Sequence, residues 1–161
     1  MPKFPMFKWL WLAFSLIVLD QSTKLAIDHL MQLYQSIQLL DFFNLTYVHN
    51  TGAAFSFLSG QNGWQRWFFS ILAVVMSLVM ILWIKRLKDN ETLLGVSLSL
   101  ILGGAIGNLI DRLVYGYVID FLDVYYHSWH WPAFNVADSA ITIGVGLMLI
   151  DSFRSKSEEK K

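Results

Sequence analysis

Cysteine is absent from this 161-residue chain. That excludes disulfides, a thiol nucleophile and a thiolate-held metal, and it leaves the redox compartment open. Charge is scarce: 15% of residues are Asp, Glu, Lys or Arg, where a soluble domain carries about 25%. No surplus of either sign exists, since Lys plus Arg and Asp plus Glu both number 12. A near-neutral balance argues against nucleic acid as a partner. Internal repeats and low-complexity linkers are also missing. What is present is apolar bulk: 55% hydrophobic residues and a mean hydropathy of +0.48. The excess lies in long runs rather than along one helical face. The fold class expected is therefore an all-α membrane protein.

A membrane-crossing helix needs about 20 mostly apolar residues. Four such runs stand out, at about 8–27, 67–84, 92–110 and 132–150. The N-terminal run follows Lys3 and Lys8, as in a secretory signal, but no small-residue cleavage site follows it and Asp20 and Lys24 come next. It reads as the first span. Between the first two spans, about 28–66, lies a longer polar stretch. Ile37 to Val48 holds β-formers in partial alternation, followed by Asn-Thr-Gly and Ser-Gly-Gln-Asn-Gly turn signals. The expectation is a small extracytoplasmic β-rich flap with a short amphipathic helix. The tail at about 151–161 is charged. The whole is expected to form one membrane-embedded domain over residues 1–161.

The Lys and Arg distribution orients the chain. With the N-terminus inside, Lys3, Lys8, Lys85, Arg86, Lys88, Arg154, Lys156, Lys160 and Lys161 are cytoplasmic, and only Lys24, Arg66 and Arg112 are outside. Both termini are then cytoplasmic. A consequence follows for the polar residues. Asp20 and Lys24 fall at the outer end of the first span, Asn108, Asp111 and Arg112 at the outer end of the third, and Asn135 and Asp138 at the outer start of the fourth. Ionisable groups in a membrane are costly and point to function.

Spacing sharpens this. Asp20 and Lys24 share one helix face, as either a structural ion pair or cap, or a scaffold lining a pocket. Asn108 and Arg112 share another; Arg112 suits a site contact and an interfacial anchor equally. Gly103 and Gly107 stand at a spacing that permits close helix packing. Asn135 and Asp138 share a face, and Asp120 lies in an apolar approach to the membrane, Tyr117 to Asp123. Two carboxyls brought together share a proton, so one can activate water while the other protonates a carbonyl oxygen. Proton relays and ion sites also use paired aspartates, so a small ion-coupled carrier and a purely structural bundle are competing readings. His127 and His130 have a metal-like spacing without the accompanying helix motif and read as exposed loop residues. Ser22, Ser56 and Ser139 could pair with Lys24 as a Ser–Lys protease, but nothing local singles one out.

Five segments together carry a resemblance: Asp20-Gln21-Ser22-Thr23-Lys24, Asn50-Thr51-Gly52-Ala53-Ala54-Phe55-Ser56, Gly103 to Arg112, Val118-Ile119-Asp120-Phe121 and Phe134-Asn135-Val136-Ala137-Asp138. In this order they resemble the motifs of bacterial lipoprotein signal peptidases (signal peptidase II), over nearly the whole chain from about Leu19 to Ile150. The resemblance implies a membrane aspartic protease with Asp120 and Asp138 as the catalytic pair. Asp20, Lys24, Asn50, Gly52, Asn108, Arg112 and Asn135 match positions that support the site or bind substrate. It implies a diacylglyceryl-prolipoprotein substrate, cut just before the lipid-modified lipobox cysteine. It also implies contact with membrane phospholipid, inhibition by the cyclic peptide globomycin, a bacterial inner-membrane location, no metal and no organic cofactor. A monomer is expected. The segment from Ile37 to Ser59, with Phe55 and Phe57, is expected to act as a mobile lid.

Overall fold

The structure is a computed structural model that describes residues 4–52 and 63–158. Four long helices dominate: α1 (Phe4–Leu30), α2 (Trp64–Ile84), α3 (Thr92–Val114) and α4 (Val136–Glu158). Each contains a stretch long and apolar enough to cross a membrane. Within α3 that stretch is 56% buried, against 17%, 22% and 17% in α1, α2 and α4. The third helix is therefore the central post, and the others pack around it and turn their outer faces to lipid. Trp11, Phe14, Trp67, Ile71, Leu78 and Ile143 are all exposed, which only a hydrocarbon solvent tolerates in such density.

Close packing on α3 has a local cause. A Cβ at Gly103 would stand 2.9 Å from the Ala13 carbonyl oxygen, and one at Gly107 would stand 2.5 Å from Asp20 Oδ2. Only glycine lets α1 come this near, as the spacing suggested. Towards one end of the bundle Trp9, Met80, Ile84, Leu94, Leu98 and Leu102 form an apolar core. At the other end sits the sheet.

That sheet has four antiparallel strands in sequence order: β1 (Ser36–Leu40), β2 (Phe43–Asn50), β3 (Val118–Tyr126) and β4 (Trp129–His130). The first two occupy the stretch where β-structure was expected. The rest of that stretch, 53–62, lies outside the described residues, and with it Phe55, Ser56, Phe57 and part of the expected lid and amphipathic helix. Strand β3 differs from expectation. Its segment read as an approach to the membrane, yet it is extended and pairs with β2, Val48 opposite Asp120 and Asn50 opposite Val118. The reason is burial on both faces: Val118 to Phe121 are all buried, so the apolar run has no alternation to betray a strand. Ile119 and Phe121 join Ile27, Met31 and Tyr47 in a second core under the sheet.

The fourth helix starts at Val136, later than the expected 132. The segment before it is tied to β3 instead. Phe134 N–H donates to Leu122 O at 3.0 Å, and Leu122 N–H donates back to Phe134 O at 2.8 Å. Asn135 then caps α4. Its Oδ1 accepts the Asp138 N–H at 2.9 Å, and its own N–H donates to Asp138 Oδ2 at 3.3 Å, a reciprocal capping box.

Candidate active site

Three elements meet where the sheet touches the bundle. Strand β3 brings Asp120, the start of α4 brings Asn135 and Asp138, and α3 brings Asn108 and Arg112. The end of β2 adds Asn50, whose Oδ1 accepts the Gly52 N–H at 3.0 Å and so fixes the turn that follows. Pairing β2 to β3 is what carries Asn50 to Asp120 across 70 residues of sequence.

The two carboxyls are held by asparagines. Asp120 accepts from Asn135 Nδ2 at 2.6 Å and from Asn50 Nδ2 at 2.9 Å. Asp138 accepts from Asn108 Nδ2 at 2.8 Å. Asn135 links the sets: the same Nδ2 also reaches Asn108 Oδ1 and Ile119 O, each at 3.2 Å. Among the described residues neither carboxyl forms an ion pair. Asp120 is 1% exposed. Burial, and then the charge of Asp138, push its pKa up to about 7, while bonds from Asn50 and Asn135 and the charge of Lys24 pull against the shift.

A cavity of about 560 Å³ opens beside them, lined by Asn50, Asn108, Arg112, Asp138 and apolar side chains that include Phe134 and Ile141. Asp138 lines it directly, and Asp120 borders it through its hydrogen-bond partner Asn50, which is part of the lining. Arg112 faces the cavity, with one guanidinium N–H on Asn108 O at 3.2 Å and its plane over Phe69.

Asp20 and Lys24 do not line that cavity. They are 0% and 1% exposed and lie behind it. Lys24 Nζ sits 2.8 Å from Asp20, 2.9 Å from Asp111 and 2.9 Å from Asn108 Oδ1. The pocket-lining reading is thus replaced by a buried ion cluster. Asp111 is its second acid, a role that i, i+4 reasoning missed because its partner stands on another helix. Gln21 was missed for the same reason: its Nε2 donates to Asp111 Oδ1 at 2.8 Å and to Gly107 O at 3.1 Å.

His127 is exposed at the β3–β4 turn, with φ 54°. His130 is not a loop residue: it stands on β4 with Nδ1 2.9 Å from Asp123, which also accepts from Asn44 and Thr46. Burial opposes ionisation of Asp123, but those three partners outweigh it and hold its pKa below the usual value. Tyr47 and His49 make a further polar pair on β2: the His49 ring meets the Tyr47 hydroxyl at 2.8 Å, and that hydroxyl donates to Asp28.

Four membrane helices around a buried acidic centre that meets an apolar cavity define a multi-pass membrane enzyme. The solved structures agree: the chain is similar to a bacterial membrane enzyme determined by the in meso method at 2.3 Å resolution, with TM-score 0.85 and 32% identity over 96% of this chain and 92% of that one. Residues 12–154 match the family described as Signal peptidase (SPase) II, and the chain belongs to that family of peptidases. Relatives named "Lipoprotein signal peptidase" include those of Alteromonas mediterranea, 56% identical over 94% of this chain and 85% of the relative, and Pseudomonas putida, 52% identical over 98% and 93%. Family and helices together make it a multi-pass protein of the bacterial inner membrane.

Proposed function

We propose that this peptidase is an aspartic endopeptidase, one membrane-embedded domain that removes signal peptides from diacylglyceryl-modified prolipoproteins. It cuts just before the lipid-modified cysteine, with Asp120 and Asp138 as the catalytic pair. The observation that carries the reading is the setting of that pair: two carboxyls joined through asparagines, with no cation among the described residues paired to either, beside a largely apolar cavity. Asp120, pushed up to about 7, holds the shared proton and gives it to the scissile carbonyl oxygen. Asp138, on the cavity wall, takes a proton from the attacking water. The asparagine amides point at the carboxyls, so their main work is to orient the acid and base. Arg112 offers its remaining donors to a lipid phosphate or a peptide carbonyl in the cavity.

The Lys and Arg distribution supports cytoplasmic termini and a site facing the outer leaflet. A bond held there by two acyl chains is presented at the depth of Asp138, since each buried methylene adds about 0.8 kcal/mol of anchoring. Globomycin is expected to compete for the cavity, and a monomer is expected to suffice, with no metal or organic cofactor. The test compares cleavage of one prolipoprotein with and without diacylglyceryl in the same bilayers. Much slower cleavage of the unmodified form is expected. Equal rates mean that the enzyme reads the peptide alone.

A further inference from the structure

The buried ion cluster touches both strands of the chemistry at equivalent places. Asp20 Oδ1 accepts the N–H of Ala137 at 2.9 Å, and Asp111 Oδ2 accepts the N–H of Ile119 at 3.1 Å. Ala137 immediately precedes Asp138, and Ile119 immediately precedes Asp120. Both amides are fully buried. That of Ala137 is in the first turn of α4, where no intrahelical acceptor exists, so an acid from another helix supplies it. Lys24 Nζ then bonds both acids and Asn108, which holds Asp138.

We propose that Asp20, Lys24 and Asp111 form a two-armed clamp that sets the spacing of the reacting pair, one arm on the backbone ahead of each aspartate. Asp20 and Asp111 are positioning residues; neither reaches the cavity. The proposal rests on the reading of Asp120 and Asp138 as the reacting pair. A plain helix-docking ion pair needs one acid for one lysine. Here there are two acids for one cation, and the second acid has its own amide to hold. Removing either acid leaves a balanced ion pair, so single variants are expected to fold.

The test measures kcat and KM on a diacylglyceryl-modified prolipoprotein, together with amide hydrogen exchange at Ile119 and Ala137 by NMR. In Asp111→Ala the Ile119 amide is expected to exchange faster while Ala137 stays protected, and kcat is expected to fall roughly 100-fold at unchanged KM, as for a misplacement of about 1 Å. Asp20→Ala should show the converse amide pattern and a similar loss. Asp111→Asn keeps an oxygen for the Ile119 amide and should restore both protection and most of the rate. Faster exchange at Ile119 with wild-type kcat overturns the clamp, as does a protected amide in an inactive Asp111→Asn. If Asp111→Ala does not accumulate, Asp111→Asn alone decides by whether protection and rate go together. Asp120→Asn and Asp138→Asn serve as references: if these remain active, the pair assignment falls while the amide patterns still report on the clamp.

Discussion

Two groups of buried carboxyls lie side by side in this fold, and they are built in opposite ways. Asp20 and Asp111 share a lysine that is 1% exposed, and every oxygen has a donor. Among the described residues, Asp120 and Asp138 have neutral asparagines and no ion pair. Burying a charge is expensive unless it is paired, so the first group is what a scaffold needs. The second has no such pairing, and burial together with the neighbouring Asp138 favours the protonated form of Asp120. Among many buried polar groups, the place to look for chemistry is at the acids with no ion pair among the described residues.

The comparison breaks most visibly if the uncompensated pair is dispensable. Asp138→Asn and Asp120→Asn are each expected to insert normally and lose about 10²–10⁴-fold in cleavage rate, measured on lipid-modified substrate in bilayers. Near wild-type turnover by either variant removes the dyad.

Next in size is Lys24→Met. It leaves Asp20 and Asp111 facing each other without a cation, and a loss of about 3–5 kcal/mol in folded stability is expected. Thermal unfolding in detergent reads it. An unchanged midpoint would mean that the cluster is not held by charge.

The uncompensated pair should respond in the opposite sense. The folded-state pKa of Asp120, about 7, lies above its unfolded value. Its contribution to stability is therefore fully present below the unfolded pKa, near 4, and is lost as pH rises to about 7. Asparagine at this position cannot ionise. Asp120→Asn should then be more stable than the wild type by a few kcal/mol above pH 7, with the gap closing in acid. A variant less stable at every pH contradicts the reading of a strained acid.

Activity should follow the same proton. Wild-type kcat is expected to fall as pH rises through about 7, as Asp120 loses its proton. Asn50 donates a hydrogen bond that lowers the pKa of Asp120. In Asn50→Ala the alkaline limb should move to higher pH. A limb that moves down or stays fixed assigns the titration to another group.

The smallest effect is expected on the far part of the sheet. His130 is hydrogen-bonded to Asp123 at 2.9 Å, but its side chain is half exposed. His130→Ala should cost at most about 1 kcal/mol and leave kcat alone. A large loss of rate there would extend the site beyond the cavity.

The membrane architecture was legible because its signal is local: a span is a run, and the runs from Trp67 to Ile84 and from Thr92 to Ile110 carry no charge. The motif residues were legible as a set in order, which is how Asp120 and Asp138 could be named together. The sequence could not place β3, because Val118 to Phe121 is buried on both faces and shows no alternation. Spacing alone did not separate Asp20 from Asp138, although the motif resemblance did. Both are acids near one end of an apolar helix, and both share a face with a polar neighbour three or four residues away. Tertiary structure gives them different surroundings. Helix packing through Gly103 and Gly107 set Asp111 of α3 2.9 Å from the Lys24 Nζ that Asp20 already pairs within α1, while the sheet carried Asn50 to Asp120. Whether a buried carboxyl is neutralised or left reactive depends on which charges reach it across the fold, and that distance is a property of the packing rather than of spacing along the chain.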